Sequence, residues 1–311
     1  VYKRQATFQY PNEQRATTLW FHDHALGITR LNVYAGPAGF YLLRGGPDDM
    51  PAGELPGPAP QPGDLPGMDY YEIPIVIQDR SFNPDGSLFY PDNRAFFEGL
   101  NVPGEPEQFP GAGDLIVDFE PDTTCDGGRS DVSPIWNPEF FGNTMVTNGK
   151  TWPYLTTERR RYRFRFLNGC HSRFLILQMV TGDPEGVTQP SLPFWVIGTD
   201  GGFLEQPASV DTLLLGPAER ADVIVDFSAA PPETTQIYLI NLAPDEPFGG
   251  GAPGIDFDVA DPLSTGQVMR FDLVAAAGED TSTPPASLVL PTITPLGPED
   301  MIRPLALNEI C

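Results

Sequence analysis

The 311 residues carry 42 acidic against 18 basic side chains, a net charge of −24, and such a surface is a poor match for nucleic acid, whose phosphates need clustered Lys and Arg. Apolar residues make up 40% of the chain, enough for ordinary cores in roughly two domains, and no apolar run reaches the ~18 residues of a membrane span. The 32 Gly and 36 Pro are spread along the whole length, which reads as short strands joined by frequent turns and makes the expected fold class all-β.

In chain order, the opening "VYKRQATFQYPNEQR" has no apolar signal core. Residues 1 to 44 hold the β-rich stretches "ATFQY", "TTLWFHDH", "LNVYAG" and "GFYLLR", too few strands to make a stable sandwich by themselves. Gly45 to Gly67 is rich in Pro, Gly and acid and reads as a linker or long surface loop. Strand signals return at Tyr70 with "YEIPIVIQDRSF", closed by the turn "NPDGS". Asn148-Gly149 between two β-prone runs predicts a hairpin. In "RYRFRFLNG", Arg161, Arg163 and Arg165 alternate with Tyr162, Phe164 and Phe166, the period of a half-buried strand with its arginines on the solvent face. "RFLILQMV", "PFWVIGTDGG", "VDTLLLGPAERADVIVDF" and "QIYLINLA" complete one β-sandwich or barrel over roughly residues 70 to 275. Asp79, Asp200, Asp222 and Asp226 end or flank strands and read as turn and capping residues, and Gly201-Gly202 as a tight turn. A second linker follows, and "MIRPLALNEIC" reads as the first strand of a further domain. Cys125, Cys170 and Cys311 show no C-x-x-C spacing, so neither a disulfide framework nor a zinc module is indicated.

Two of the three histidines stand two positions apart in "TTLWFHDHALGITR". On a strand, His22 and His24 would project from one face with Cα atoms ~6.5–7 Å apart, and Asp23 from the other. Two imidazoles held in parallel can ligate one metal, or one each of two neighbouring metals, and imidazole suits copper, zinc, iron and nickel. Two packed, hydrogen-bonded histidines are the alternative.

The flanking residues resemble a known family. "LWFHDHALGITRLNVYAGPAGFYLLR" is similar to the second histidine motif of multicopper oxidases of the bacterial laccase and bilirubin-oxidase branch. "IPIVIQDRSFNPDGSLFY", "VTNGKTWPYL", "RYRFRFLNGCHSRFL", "IGTDGGFLEQP" and "LLLGPAERADVIVDF" resemble its second domain. The resemblance implies cupredoxin-like Greek-key domains. Residues 1–48 would be the C-terminal part of the first and 49–69 a linker. Residues 70–275 would be the second domain, 276–303 another linker, and 304–311 the first strand of a third domain otherwise outside the chain.

It also implies copper. A type 1 copper takes electrons from a phenolic, bilirubin-like or metal-ion reductant, and a trinuclear cluster of one type 2 and two type 3 coppers reduces dioxygen to water. By the motif match, His22 and His24 each ligate a different type 3 copper, with Trp20 and Phe21 packed beside them, and no catalytic residue is expected beyond the metal ligands. The family's other histidine motifs are absent from this chain. The chain alone is therefore expected to be inactive, with apolar edges that the missing first- and third-domain segments would cover. Cys170-His171 looks like half of an H-C-H copper motif, but Gly169 stands where the first histidine would be, so both read as structural residues at a strand end. The acidic surface and the family both lean towards a secreted or periplasmic protein.

Two other classes compete. One is a mononuclear metal hydrolase that uses His22, His24 and a remote third ligand such as His171. The other is a β-sandwich scaffold without catalysis.

Overall fold

A computed structural model of the chain describes residues 7–91, 100–101, 106–107, 110–113, 139–299 and 301–306. It divides into two compact units, residues 1–80 with 141–293 and residues 81–140 with 294–311. Cys125, Cys311 and most of the strand expected at 304–311 lie outside the described residues.

In the first unit, β1 (Thr17–His22) pairs antiparallel with β2 (Ala38–Leu43), and α1 (Thr29–Ala35) joins them. The rest of this unit is a sandwich. One sheet is ordered β12 (Gly202–Val210), β11 (Phe194–Thr199), β14 (Arg220–Asp226), β8 (Arg161–Asn168), β3 (Glu72–Phe82), β5 (Thr144–Thr147) and β6 (Lys150–Thr151). The other is ordered β10 (Thr188–Pro190), β9 (Leu175–Gly182), β15 (Gln236–Asn241), β16 (Gln267–Val274) and β7 (Tyr154–Glu158), with β13 (Thr212–Leu215) also on β9. In the second unit, Ser81 and Phe82 pair with β4 (Leu88–Phe89), and "NPDGS" forms the expected turn, with Asn83 N–H donating to the Ser87 carbonyl at 2.8 Å.

The alternation in β8 builds the core. Phe164 lies opposite Ile73 and Val223, and Phe166 opposite Ile75 and Ala221. These side chains meet Leu175, Leu177, Leu239 and Phe271 from the facing sheet. Each fully buried Phe contributes about 2–3 kcal/mol, and pairs such as Phe164–Phe271, with centroids 5.5 Å apart, add to that. The Asn148-Gly149 hairpin forms as its sequence predicts, with φ of 49° and 78°.

Four expectations are corrected. Arg163 and Arg165 are not on a solvent face but 4% and 3% exposed. The outer face of their sheet is covered by β1 and by residues from the two Pro-rich stretches, with Met50, Leu55, Leu288 and Leu290 packing on Ile197, Phe203 and Ile224. Beneath that cover the arginines pair with Glu72 and Asp222. Asp79 and Asp222 sit within strands rather than at their ends, and each is an ion-pair partner, Asp79 of Arg173 at 3.3 Å. Asp226, by contrast, caps a short 3₁₀ turn through the Ser228 N–H, and Asp200 holds the Arg220 N–H at the expected turn. Finally, "LNVYAG" is helical. Seven residues are too few for periodicity to decide, and Gly27 and Gly36, both at positive φ, punctuate its two ends. Residues 7–10 of "ATFQY" belong to no strand.

Candidate metal centre

β1 delivers the histidine pair. Its pleat places Trp20 and His22 on one face and Phe21 on the other. Phe21 lies over β2 at Gly39, where a Cβ would stand 3.0 Å from its ring, so the glycine makes room for it. The strand ends at His22, two residues sooner than the expectation of a continuous strand through His24. A turn takes over. The Asp23 carboxylate accepts the Ala25 N–H at 3.0 Å, and the Ala25 carbonyl accepts both the N–H and the hydroxyl of Thr29, at 3.0 and 2.8 Å. The Ala25 hydrogen bond, then one from the Asn32 side chain, hold the Asp23 carboxyl below its ordinary range.

The rings nevertheless end side by side. The His22 and His24 centroids are 5.7 Å apart with 31° between planes, and Trp20 lies 4.5 Å from His22 at 32°. Trp20 thus packs beside the pair as expected, and Phe21 does not.

His22 Nδ1 is 2.6 Å from the Asp23 carbonyl oxygen. A carbonyl only accepts, so Nδ1 is the donor in this bond and Nε2 is the nitrogen left to meet a metal. This is the orientation a metal-bound imidazole requires, and the second ring nitrogen is fixed by a backbone oxygen as metal-binding histidines usually are. His24 is exposed beyond the strand end. The donor set, two imidazoles side by side, fits a soft-to-borderline cation such as copper. Among the described residues no group of three or more His, Cys, Asp and Glu side chains could hold a metal ion, so no third donor of these types joins the pair there.

His171 therefore brings no third donor. Its ring meets Tyr34 edge-on at 5.4 Å, and burial lowers its pKa. Cys170 is buried behind it, with its N–H on the Asn168 side chain at 3.0 Å, and burial pushes its thiol well up, away from the thiolate a metal needs. Sequence reasoning missed Asn32 and Tyr34, because both fall in the stretch read as a strand.

No family model matches the chain. Individual proteins do. It is 31% identical over 285 residues to multicopper oxidase LPR1 of Arabidopsis thaliana, covering 92% of this chain and 38% of that protein. It is 36% identical over 242 residues to a laccase of Bacillus subtilis, covering 78% of this chain and 37% of the laccase. Among solved structures, the McoA multicopper oxidase of Aquifex aeolicus superposes with a TM-score of 0.59 at 27% identity, over 91% of this chain and 46% of that one. The chain thus spans less than half the length of each of these proteins, and its sheets match their cupredoxin-like fold. Over the stretch it spans, this chain belongs to the multicopper oxidase family.

Proposed function

We propose that this chain is part of a laccase-like copper oxidoreductase, in which His22 and His24 each hold one copper of a coupled type 3 pair. The observation that carries this reading is the side-by-side placement of the two rings, 5.7 Å between centroids, with His22 Nε2 left for a metal by the bond from Nδ1 to the Asp23 carbonyl. Two ligands do not complete a cluster, so the remaining donors would come from first- and third-domain segments outside the chain. In the same reading residues 1–48 end the first cupredoxin domain and 70–275 form the second. The stretches 49–69 and 276–303 link domains, and 304–311 opens the third.

Bound copper would supply the electron transfer by which dioxygen is reduced at the expense of a phenolic, bilirubin-like or metal-ion reductant. The chain's own residues orient the ligands. The Asp23 carbonyl fixes the His22 tautomer, Trp20 covers the face of that ring, and the Ala25 turn carries His24 to its side. The mononuclear hydrolase reading is disfavoured because no third donor converges on the pair among the described residues.

The chain alone should reduce no dioxygen. Joined to the family's first- and third-domain segments, it should take up copper and oxidise a phenol in air. In that protein His22→Ala or His24→Ala should lower turnover by at least about a hundredfold, the upper end of what changes around a metal ligand cost, with loss of copper in metal analysis. Alanine variants that keep both copper and turnover would defeat the assignment, and zinc at one ion per chain with hydrolytic activity would favour the hydrolase.

A further inference from the structure

We propose that α1 is a strut that holds the His22–His24 turn against the sandwich, with His171 and Arg80 as its positioning residues. The inference deepens the copper reading above and rests on it for its functional meaning, although the strut itself can be tested without metal.

A seven-residue helix is well short of the ~12–15 residues at which an isolated helix becomes even marginally stable in water. Its position must come from what grips it. On one side it grips the histidine turn, since the Asn32 amide donates to the carboxylate of Asp23, the residue between the two histidines. The Thr29 bonds to the Ala25 carbonyl tie the same turn to the helix start. On the other side the sandwich grips the helix. A ring N–H of His171 donates to the Arg30 carbonyl, and the ring stands edge-on to Tyr34. The Arg80 guanidinium lies 4.8 Å from the Tyr34 ring centroid and reaches the Val33 carbonyl at 3.4 Å.

Tyr34 is the buried residue of the helix, at 3% exposure, whereas Leu31 is largely open. Hydrophobic burial by a broad face therefore does not fix the helix, and the polar grip does. The grip is itself anchored in the core. Asp79, fully buried, accepts the His171 backbone N–H at 3.3 Å and the Gly142 N–H at 2.8 Å, and pairs with Arg173. Arg80 Nη1 donates to the Asp79 carbonyl at 2.8 Å. A continuous set of contacts therefore runs from the strand end at Cys170-His171 to the peptide between the two histidines. His171, which in sequence looks like a broken copper motif, holds the ligands of another.

The test uses the 311-residue chain with His171→Ala, His171→Gln and Asn32→Ala, read by hydrogen exchange and by the imidazole ¹⁵N resonances of His22 and His24. In His171→Ala the α1 amides should exchange about tenfold faster, as expected for a locally released element. The His22 and His24 ring resonances should move while β8 and β9 amides keep their protection. Glutamine, which can still donate to the Arg30 carbonyl, should recover most of both effects. Asn32→Ala, at a partly exposed position outside the core, should move the ring resonances while α1 keeps its protection. Unchanged ring resonances in Asn32→Ala, or unchanged α1 exchange in a folded His171→Ala, would overturn the strut. Metal analysis of the wild-type chain joined to the family's first- and third-domain segments separates the two ideas, because a joined protein that takes up no copper would count against the copper reading and leave the strut standing.

Discussion

At Gly142 a single added carbon would lie 2.5 Å from the Arg80 amide nitrogen and 2.8 Å from the Asp79 carbonyl carbon, both backbone atoms that cannot rotate away. The glycine lets two chain segments touch at the point where Asp79 accepts its N–H and Arg173 donates to its carbonyl at 2.7 Å. Gly142→Ala must therefore push β3 aside and loosen a fully buried ion pair. It is expected to cost about 3 kcal/mol, at the upper end for overpacking, seen as a lower midpoint in urea with an unchanged slope. Gly201→Ala is the matched control, since a Cβ there meets nothing within 4 Å and the backbone is not left-handed. Equal midpoints for the two variants would show that the close approach at Gly142 is not tight in solution.

Among the elements, the β5–β6 hairpin is held from outside as well as within. Asn148 adopts φ 49°, its side-chain oxygen accepts the Val76 N–H at 2.9 Å, and its amide donates to the Pro74 carbonyl at 2.9 Å. Asn148→Ala should lose both bonds and strain the turn, for about 2 kcal/mol. Asn148→Gly should relieve only the strain and recover less than half, again by urea titration. This hairpin was legible in the sequence because Asn-Gly determines its own turn chemistry over two residues. The period of β8 was legible for the same local reason. The destination of its arginine face was not, because its partners are distant in sequence, Thr18 lying 147 positions from Arg165. The spacing of His22 and His24 led to an expected pair of rings on one face, and the two rings lie side by side with a 31° tilt. The turn that brings this about beyond the end of β1 depends on Asn32 and Thr29, in a segment too short for its helical period to show.

On the scale of the whole molecule, the charge imbalance has a consistent internal counterpart. Of the 18 basic residues 16 are arginine, the side chain suited to bidentate pairing, and several are committed inside the first unit rather than to its surface. Glu72 is the hub of one such set. It takes both Nη atoms of Arg44, at 2.9 and 2.8 Å, pairs with Arg163 at 3.5 Å, and meets the Nε of Arg165. Arg165 in turn donates to Thr18 at 2.7 Å, and Arg220 donates to the Thr18 carbonyl at 3.0 Å. The strand that carries His22 is thereby fastened to the sandwich through charges rather than through a greasy seam. Burial alone would raise the pKa of Glu72, but Arg163, Arg44 and Arg165 outweigh it and lower it from 4.5 to about 2. A carboxylate depressed in the folded state stabilises fully above its unfolded pKa, and that stability drains away as pH falls towards the folded value. The Glu72 contribution, on the order of 3 kcal/mol, should thus be complete above about pH 4.5 and mostly gone near pH 2. Acid titration of the other carboxylates would obscure this in the wild type alone, but they titrate equally in Glu72→Gln. The stability difference between the two proteins, measured by urea unfolding across this window, should be constant above pH 5 and shrink steadily below it. A difference that stays constant down to pH 2.5 would mean that Glu72 is not the charged centre of the clamp.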